Sequence, residues 1–395
     1  MKSPLCGACG AQMKKNGKTK DGTQRFRCKA CGSSFTHRIN SDAKALKEFV
    51  EWLLSRNKQI DMPGNGRTFR RRTSKFWALW PLPDVVDEIH RVIYVDGLYL
   101  ARNVVILIAA SDDYVLSWYL ARSENSHAWE ALLSRIAPPD IVITDGGVGF
   151  AKAVKRVWPD TVVQRCIFHV FNQVKRCTTT RPKLLAGKEI YQLSKELLHI
   201  KTLKQAQWWT EQYLQWCEFW SEFLSEYTYV DGRKEYTHER LRQARRTLTG
   251  LVNKNLLFAY LDPRLNTEEP MPSMNNRIEN INGRIRSVLR DHRGLSLLRR
   301  IKAVYWWCYM HTEYPSSYAQ ILKTMPTDKD IDVLYETYKA PHPLAESRLN
   351  GVKELSGMNC ITKLNILLRL TNPDTIFVLY ALVSQFFRSA FYFQM

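Results

Sequence analysis

From residue 92 onward, apolar runs of strand length alternate with polar breaks. Residues 92–95 are apolar and end at Asp96-Gly97, residues 104–110 form a second run, and residues 114–120 a third. All three are rich in β-branched and aromatic side chains, which predicts strands. The period then changes. Across 126–136, Ala128, Leu132, Leu133 and Ile136 share one helical face. After Pro138-Pro139, Ile141-Val142-Ile143 predicts a fourth strand that leads into Thr144-Asp145-Gly146-Gly147. A helix over 148–157 and a fifth strand over 161–164 follow. Three strands, helix, strand, helix, strand reads as a meander followed by helical crossovers, and so as a mixed sheet.

Helical spacing dominates elsewhere. Ala43, Leu46, Phe49, Val50, Leu53 and Leu54 recur at helical intervals after Ser41, an N-cap candidate, with Asp42 in the first turn. A turn at Pro63-Gly64-Asn65-Gly66 precedes a very basic segment containing Arg67, Arg70, Arg71, Arg72 and Lys75, with Phe76, Trp77 and Trp80 beyond it. Helix, glycine-rich turn and basic helix resemble a helix-turn-helix whose second helix enters a DNA groove. Pro81 and Pro83 mark a boundary. Residues 184–260 carry Trp208, Trp209, Tyr213, Trp216, Phe219, Trp220, Phe223 and Tyr227 near helical intervals, which predicts a helical core. Within 273–290, Ile278, Ile281, Ile285 and Val288 form an apolar stripe, while Asn275, Asn276, Glu279, Asn282, Gly283 and Arg286 take the opposite face. Asparagine and arginine beside a glutamate suit phosphate oxygens.

Composition narrows the function class. Of 395 residues, 45% are hydrophobic and 12% aromatic, enough for a substantial core and too many for a disordered chain. The formal charge is +20, which points to a polyanionic partner. That charge is uneven, since residues 1–80 hold 18 Lys and Arg against 5 Asp and Glu. A basic binding module joined to a more ordinary body is the expectation. The first ten residues lack an apolar signal region, and the longest apolar run, 376–383, is too short to span a bilayer. Nine cysteines, an odd number, then read as reduced thiols or metal ligands in a cytosolic protein without membrane contact.

Cys6-x2-Cys9 and Cys28-x2-Cys31 have the spacing of two knuckles that together hold one Zn2+ ion, with Gly7, Gly10 and Gly32 as permissive turns. A zinc ribbon over 1–40 follows, folded largely by its metal. Asp96 and Asp145 each stand at the end of a predicted strand. If those strands are neighbours, the two carboxylates lie side by side and repel unless a cation separates them, which makes a natural Mg2+ site. Asp-Gly is also an ordinary turn dipeptide, so the joint placement carries more weight than either aspartate alone. Glu279 offers a third carboxylate. Cys166-x2-His169 has ligand spacing but no second pair nearby to complete a zinc site, with Cys177 a weak candidate. A buried structural pair is its other reading.

Strand-Asp, strand-Asp and helix-Glu resemble the DDE triad of RNase H-like transposases. Val95-Asp96-Gly97, Thr144-Asp145-Gly146, Cys166-x2-His169 and residues 275–282, with Tyr305-Trp306-Trp307 downstream, are similar in order to the Mutator-type bacterial insertion-sequence transposases. The resemblance covers roughly 88–312. It implies an α/β multidomain protein: zinc ribbon 1–40, helix-turn-helix 41–82, RNase H-like mixed-sheet core 88–170 and 271–315, an all-α insertion 171–270, and a C-terminal region 316–395 of unassigned role. It implies Asp96, Asp145 and Glu279 as ligands of two Mg2+ ions, replaceable by Mn2+, with Cys166, His169 and Asn276 in support and His169 near the scissile phosphate or the metal. Arg67, Arg70, Arg71, Arg72, Lys75, Arg284 and Arg286 are the expected DNA contacts, and Arg233, Lys234, Arg240, Arg242, Arg245 and Arg246 could grip the backbone from the insertion. The expected partners are double-stranded terminal repeats, target DNA and a second copy of the chain, in the bacterial cytoplasm at the nucleoid. A metal-dependent nuclease or resolvase, and a domesticated zinc-ribbon regulator, are the alternatives.

Overall fold

A computed structural model describes residues 4–6, 9–20, 22–36, 41–266 and 269–339 of the chain. Gly7, the apolar segments 364–370 and 375–387, and most of the expected C-terminal region lie outside the described residues. The described residues fall into two units, which are taken in turn.

The smaller unit draws on Met1–Trp52, Lys58–Phe76 and Ser316–Thr324. Strands β1 (Lys14–Lys18), β2 (Gln24–Arg27) and β3 (Ser34–Thr36) form an antiparallel sheet in sequence order. Its minute core is Cys6, Met13, Phe26 and Cys28, too little apolar surface to hold a fold without further ties. Helix α1 (Ser41–Leu54) buries Leu46, Phe49 and Val50, the positions set by its apolar spacing. Helix α2 (Asn65–Thr73) starts after Gly64, whose φ of 86° favours glycine, and buries Phe69. Trp52 meets Phe69 edge-on at 5.6 Å, and Phe49 lies 5.9 Å from Phe76.

The larger unit is built on a five-stranded sheet of β4 (Val92–Ala101), β5 (Val104–Ala110), β6 (Val115–Ala121), β7 (Ile141–Thr144) and β8 (Val162–Arg165), in the order β6-β5-β4-β7-β8. The β6-β5-β4 pairs are antiparallel and the β4-β7-β8 pairs parallel, so the sheet is mixed. β5, β6 and β7 are buried along their whole length, as near-continuous apolar runs require. Helices α3 (Ser126–Leu133) and α4 (Val148–Val157) bring Trp129, Leu132, Phe150 and Val154 onto Ile93, Val95, Val105 and Leu107. Trp129 and Phe150 meet edge-on at 5.2 Å.

Beyond β8 come α5 (Ile167–Thr178), α6 (Leu185–Glu196) and α7 (Leu203–Phe219). Trp209, Tyr213 and Trp216 on α7 are buried and stacked in series, with centroids 5.4 and 6.4 Å apart. Trp208 and Phe219 instead remain 53% and 77% exposed, so the aromatic run is only partly core. The insertion is also not all-α. Strands β9 (Tyr227–Val230) and β10 (Arg233–Tyr236) form a hairpin ahead of α8 (Glu239–Asn253). Its turn, Asp231-Gly232, has positive φ at both residues, 50° and 74°, the conformation that matches hairpin twist. Tyr227 and Tyr236 stack across the strands at 4.4 Å.

Helices α9 (Asn276–Asp291) and α10 (Leu297–Met310) return the chain to the sheet. Ile278, Ile281 and Ile285 are buried, and Tyr305 packs edge-on against Trp118 of β6 at 6.1 Å. Helix α11 (Tyr318–Thr324) belongs to the smaller unit, and α12 (Asp328–Lys339) to the larger. There the buried Lys302 ammonium is paired with Asp328 at 2.6 Å. Among the described residues no helix is long and apolar enough to cross a membrane.

Candidate active site

The register of β4 and β7 sets the first two carboxylates. Val95 pairs with Thr144, so Asp96 and Asp145 are the next residues on two neighbouring parallel strands. β4 does not end at Asp96 as the sequence suggests. It continues to Ala101 because β5 still pairs with it, and Asp96 faces Ile108. Asp96 therefore sits within a strand, just past the point where β7 stops. Its Oδ1 accepts the Gly97 N–H at 2.8 Å, and its Oδ2 accepts Asn282 Nδ2 of α9 at 2.7 Å. Burial pushes the Asp96 carboxyl up to about 7, assisted by the negative charges of Asp145, Glu279 and Glu124.

Asp145 opens a turn in which the Gly146 N–H donates to Thr144 Oγ1 at 3.0 Å. Gly146 has a φ of 86°, and a Cβ there would fall 1.4 Å from Nη1 of Arg165. Arg165, buried at the end of β8, thus runs directly beneath this turn and feels the charge of Asp145.

Glu279 lies in the first turn of α9, and its Oε1 is 3.3 Å from His169 Nε2. His169 holds the Glu279 carboxyl below its usual range, against the effect of burial. Cys166 and Glu279 together raise His169 to about 10. Burial pushes the Cys166 thiol up, but hydrogen bonds with His169 and with the Asn275 N–H outweigh it and bring it down. Asn275 N donates to Cys166 Sγ at 3.2 Å and Asn275 Nδ2 to Val95 O at 3.1 Å, tying α9 to β4 and α5. Cys166 is buried, and Cys177 takes no part in this group.

Two expectations for α9 change. Asn275 and Asn282 do not belong to an open polar face, since both are fully buried and hold the backbone and carboxylate of β4. The helix turns this part of its polar side inward, toward unsatisfied groups on the sheet. Asn276 and Arg286 are exposed, as is Arg284. Glu124, Arg165 and the tie from Asn282 to Asp96 escaped the sequence reading. One signal was available: residues following β6, β7 and β8 all open on the carboxyl edge of the sheet, where ligands of open α/β sheets bind.

The sequence profile of the Mutator transposase family matches residues 85–293, from just ahead of β4 through the end of α9. The chain belongs to the Mutator family of transposases. No curated protein matches it in sequence. Membership implies DNA as the transposase's substrate, and Asp96, Asp145 and Glu279 all fall inside the matched residues.

Outside that span, the transposase gathers Cys6, Cys9, Cys28 and Cys31 so that their sulfurs all lie within 4.8 Å of one another. The Cys6–Cys31 and Cys9–Cys28 separations are both 3.5 Å. Gly10 N donates to Cys6 O at 2.8 Å and Gly32 N to Cys28 O at 3.0 Å, closing two matching knuckles. Such a cluster is compatible with a zinc ribbon. On α2, Arg67, Arg70 and Arg71 are exposed. Arg72 is bound by Glu48 of α1, and Lys75 pairs with Asp42 at 2.7 Å.

Proposed function

We propose that this transposase cuts DNA at the ends of a bacterial insertion sequence and joins the freed 3′-OH to target DNA. In this reading Asp96, Asp145 and Glu279 hold two Mg2+ ions, or Mn2+ in their place, in an RNase H-like DDE site. The observation that carries it is the convergence of three carboxylates from β4, the β7–α4 turn and α9, with Asp96 feeling the charge of both others. The donor set fits a hard cation. Carboxylate oxygens are the ligands Mg2+ prefers, and burial together with the charges of Asp145, Glu279 and Glu124 pushes the Asp96 carboxyl up, a cost that a cation beside it would relieve.

Bound there, the ions supply activation of the attacking oxygen and stabilisation of the leaving one. The chain's own residues do the positioning. Asn282 fixes which way Asp96 points, and the Thr144–Gly146 turn, supported by Arg165, presents Asp145. The Cys166–His169 pair holds Glu279 by its Oε1. In the smaller unit, one Zn2+ ion on the four cysteines stabilises a ribbon, and the exposed arginines of α2 engage the terminal inverted repeats. Two DNA ends call for at least a dimer.

The test is a set of isosteric variants. Asp96→Asn, Asp145→Asn and Glu279→Gln are each expected to abolish Mg2+-dependent cleavage of a labelled end while retaining end binding. Full cleavage by the triple variant overturns the reading. Transfer of the labelled end into a plasmid separates a transposase from a nuclease bearing the same triad.

A further inference from the structure

A fourth carboxylate stands at the same sheet edge. β6 runs antiparallel to β5 and β5 antiparallel to β4, so β6 points the same way as β4, β7 and β8. Glu124 follows the end of β6, immediately before Asn125, the N-cap of α3. Its carboxylate lies against the backbone that continues from both aspartates. A Cβ at Gly97, next to Asp96, would fall 2.4 Å from Glu124 Oε1. One at Gly147, two residues past Asp145, would lie 4.0 Å from Oε2, and one at Gly149 would meet the Glu124 carbonyl at 2.3 Å. Glycine at 97 and 149 leaves the room that the glutamate occupies, whereas a Cβ at Gly147 would make only ordinary contact with it.

Glu124 is partly buried, and among the described residues no Lys, Arg or His forms an ion pair with it. The Tyr99 hydroxyl is its hydrogen-bond partner. It does not cap α3, because Asn125 accepts the Ala128 N–H there at 3.0 Å. A second observation points to a ligand at this edge: Asn282 is fully buried beside Asp96 and its Oδ1 has no hydrogen-bond partner. Asp145 acts electrostatically on both Asp96 and Glu124. Arg165 beneath the Asp145 turn is a neighbouring cation, but among the described residues none of these three acids forms an ion pair, so their grouping suits a further positive charge.

We propose that Glu124 is a further ligand of the divalent-cation site, alongside Asp96, Asp145 and Glu279. This rests on the metal-dependent reading above and extends it by one residue. Glu124 supplies a carboxylate oxygen from the β6–α3 loop, so the ions would be held from within β4, from the loops after β6 and β7, and from α9.

The experiment is an Mn2+ titration of the full-length, zinc-loaded chain followed by electron paramagnetic resonance, with thermal melting with and without Mn2+ in parallel. Glu124→Gln is expected to raise the Mn2+ dissociation constant about tenfold or more, the scale on which metal sites respond to such losses. The Mn2+-induced rise in melting temperature should shrink with it. Glu124→Asp, which keeps the charge but withdraws the oxygens by one methylene, should fall between wild type and Glu124→Gln. Wild-type Mn2+ affinity in a folded Glu124→Gln overturns the proposal, and if that variant does not fold, wild-type affinity in Glu124→Asp does so. Asp96→Asn serves as the reference. If it too leaves Mn2+ affinity unchanged, the metal-dependent reading itself falls; if it alone lowers the affinity, only the role of Glu124 falls.

Discussion

At the scale of single residues, Asp96 carries the clearest consequence for pH. Its carboxyl is pushed up to about 7, from an ordinary value of 3.8, by burial and by neighbouring acids. Between those values the folded state holds a proton that the unfolded chain has lost. The contribution is present below about pH 4 and is lost as pH rises through 7, on the order of 4 kcal/mol in all. Asp96→Asn removes the titration while keeping an oxygen for Asn282. Without divalent ions, the variant should melt above wild type at pH 8, with the gap closing toward pH 5, as read by thermal denaturation across that range. Asn282→Ala is expected to lower the Mg2+-dependent cleavage rate by about 10- to 100-fold, as loss of a group orienting a metal ligand does; initial rates on a labelled end would show it. These partnerships lay beyond the sequence for a physical reason. Asn282 and Asp96, or His169 and Glu279, are far apart along the chain and meet only after the sheet and α9 have packed.

The elements divide by how local their causes are. β5 and β7 were legible because strands buried on both faces leave an uninterrupted apolar run. α3 and α4 were legible because one apolar face meets the sheet. The end of β4 was not, since Asp96-Gly97 resembles a turn and only the pairing with β5 keeps the strand going. The β9–β10 hairpin was missed because its aromatics prolong the spacing of α7, although Asp231-Gly232 between alternating residues was a hairpin signal. The β7–α4 turn yields a prediction at this scale. Gly146→Ala places a methyl at positive φ and against the Arg165 guanidinium, so it should destabilise the fold by about 1–3 kcal/mol. Urea denaturation monitored by tryptophan fluorescence would measure this, and a variant as stable as wild type would show that neither the positive φ nor Arg165 resists the added methyl.

For the whole molecule, the sequence's charge asymmetry becomes a prediction about DNA affinity. Residues 1–80 concentrate basic side chains, 18 against 5 acidic ones, but they are not equally available. Arg67, Arg70 and Arg71 are exposed on α2, whereas Arg72 is held by Glu48, whose side chain is only 12% exposed. A charge sequence alone treats these arginines as equals; the ion pair separates them. Each free arginine that contacts a phosphate releases a counterion, so its loss should reduce the slope of log K against log salt by about 1. Arg67→Ala, Arg70→Ala and Arg71→Ala are therefore expected to weaken end binding by the full-length chain and to flatten its salt dependence. Arg72→Ala should leave that slope near wild type and instead lower stability by about 1 kcal/mol, by stranding Glu48. Fluorescence-anisotropy titrations of a duplex end at several salt concentrations, with a melting curve for each variant, distinguish the two classes. If Arg72→Ala flattens the slope as much as Arg70→Ala does, the Glu48 pair opens when DNA binds and Arg72 joins the contact surface.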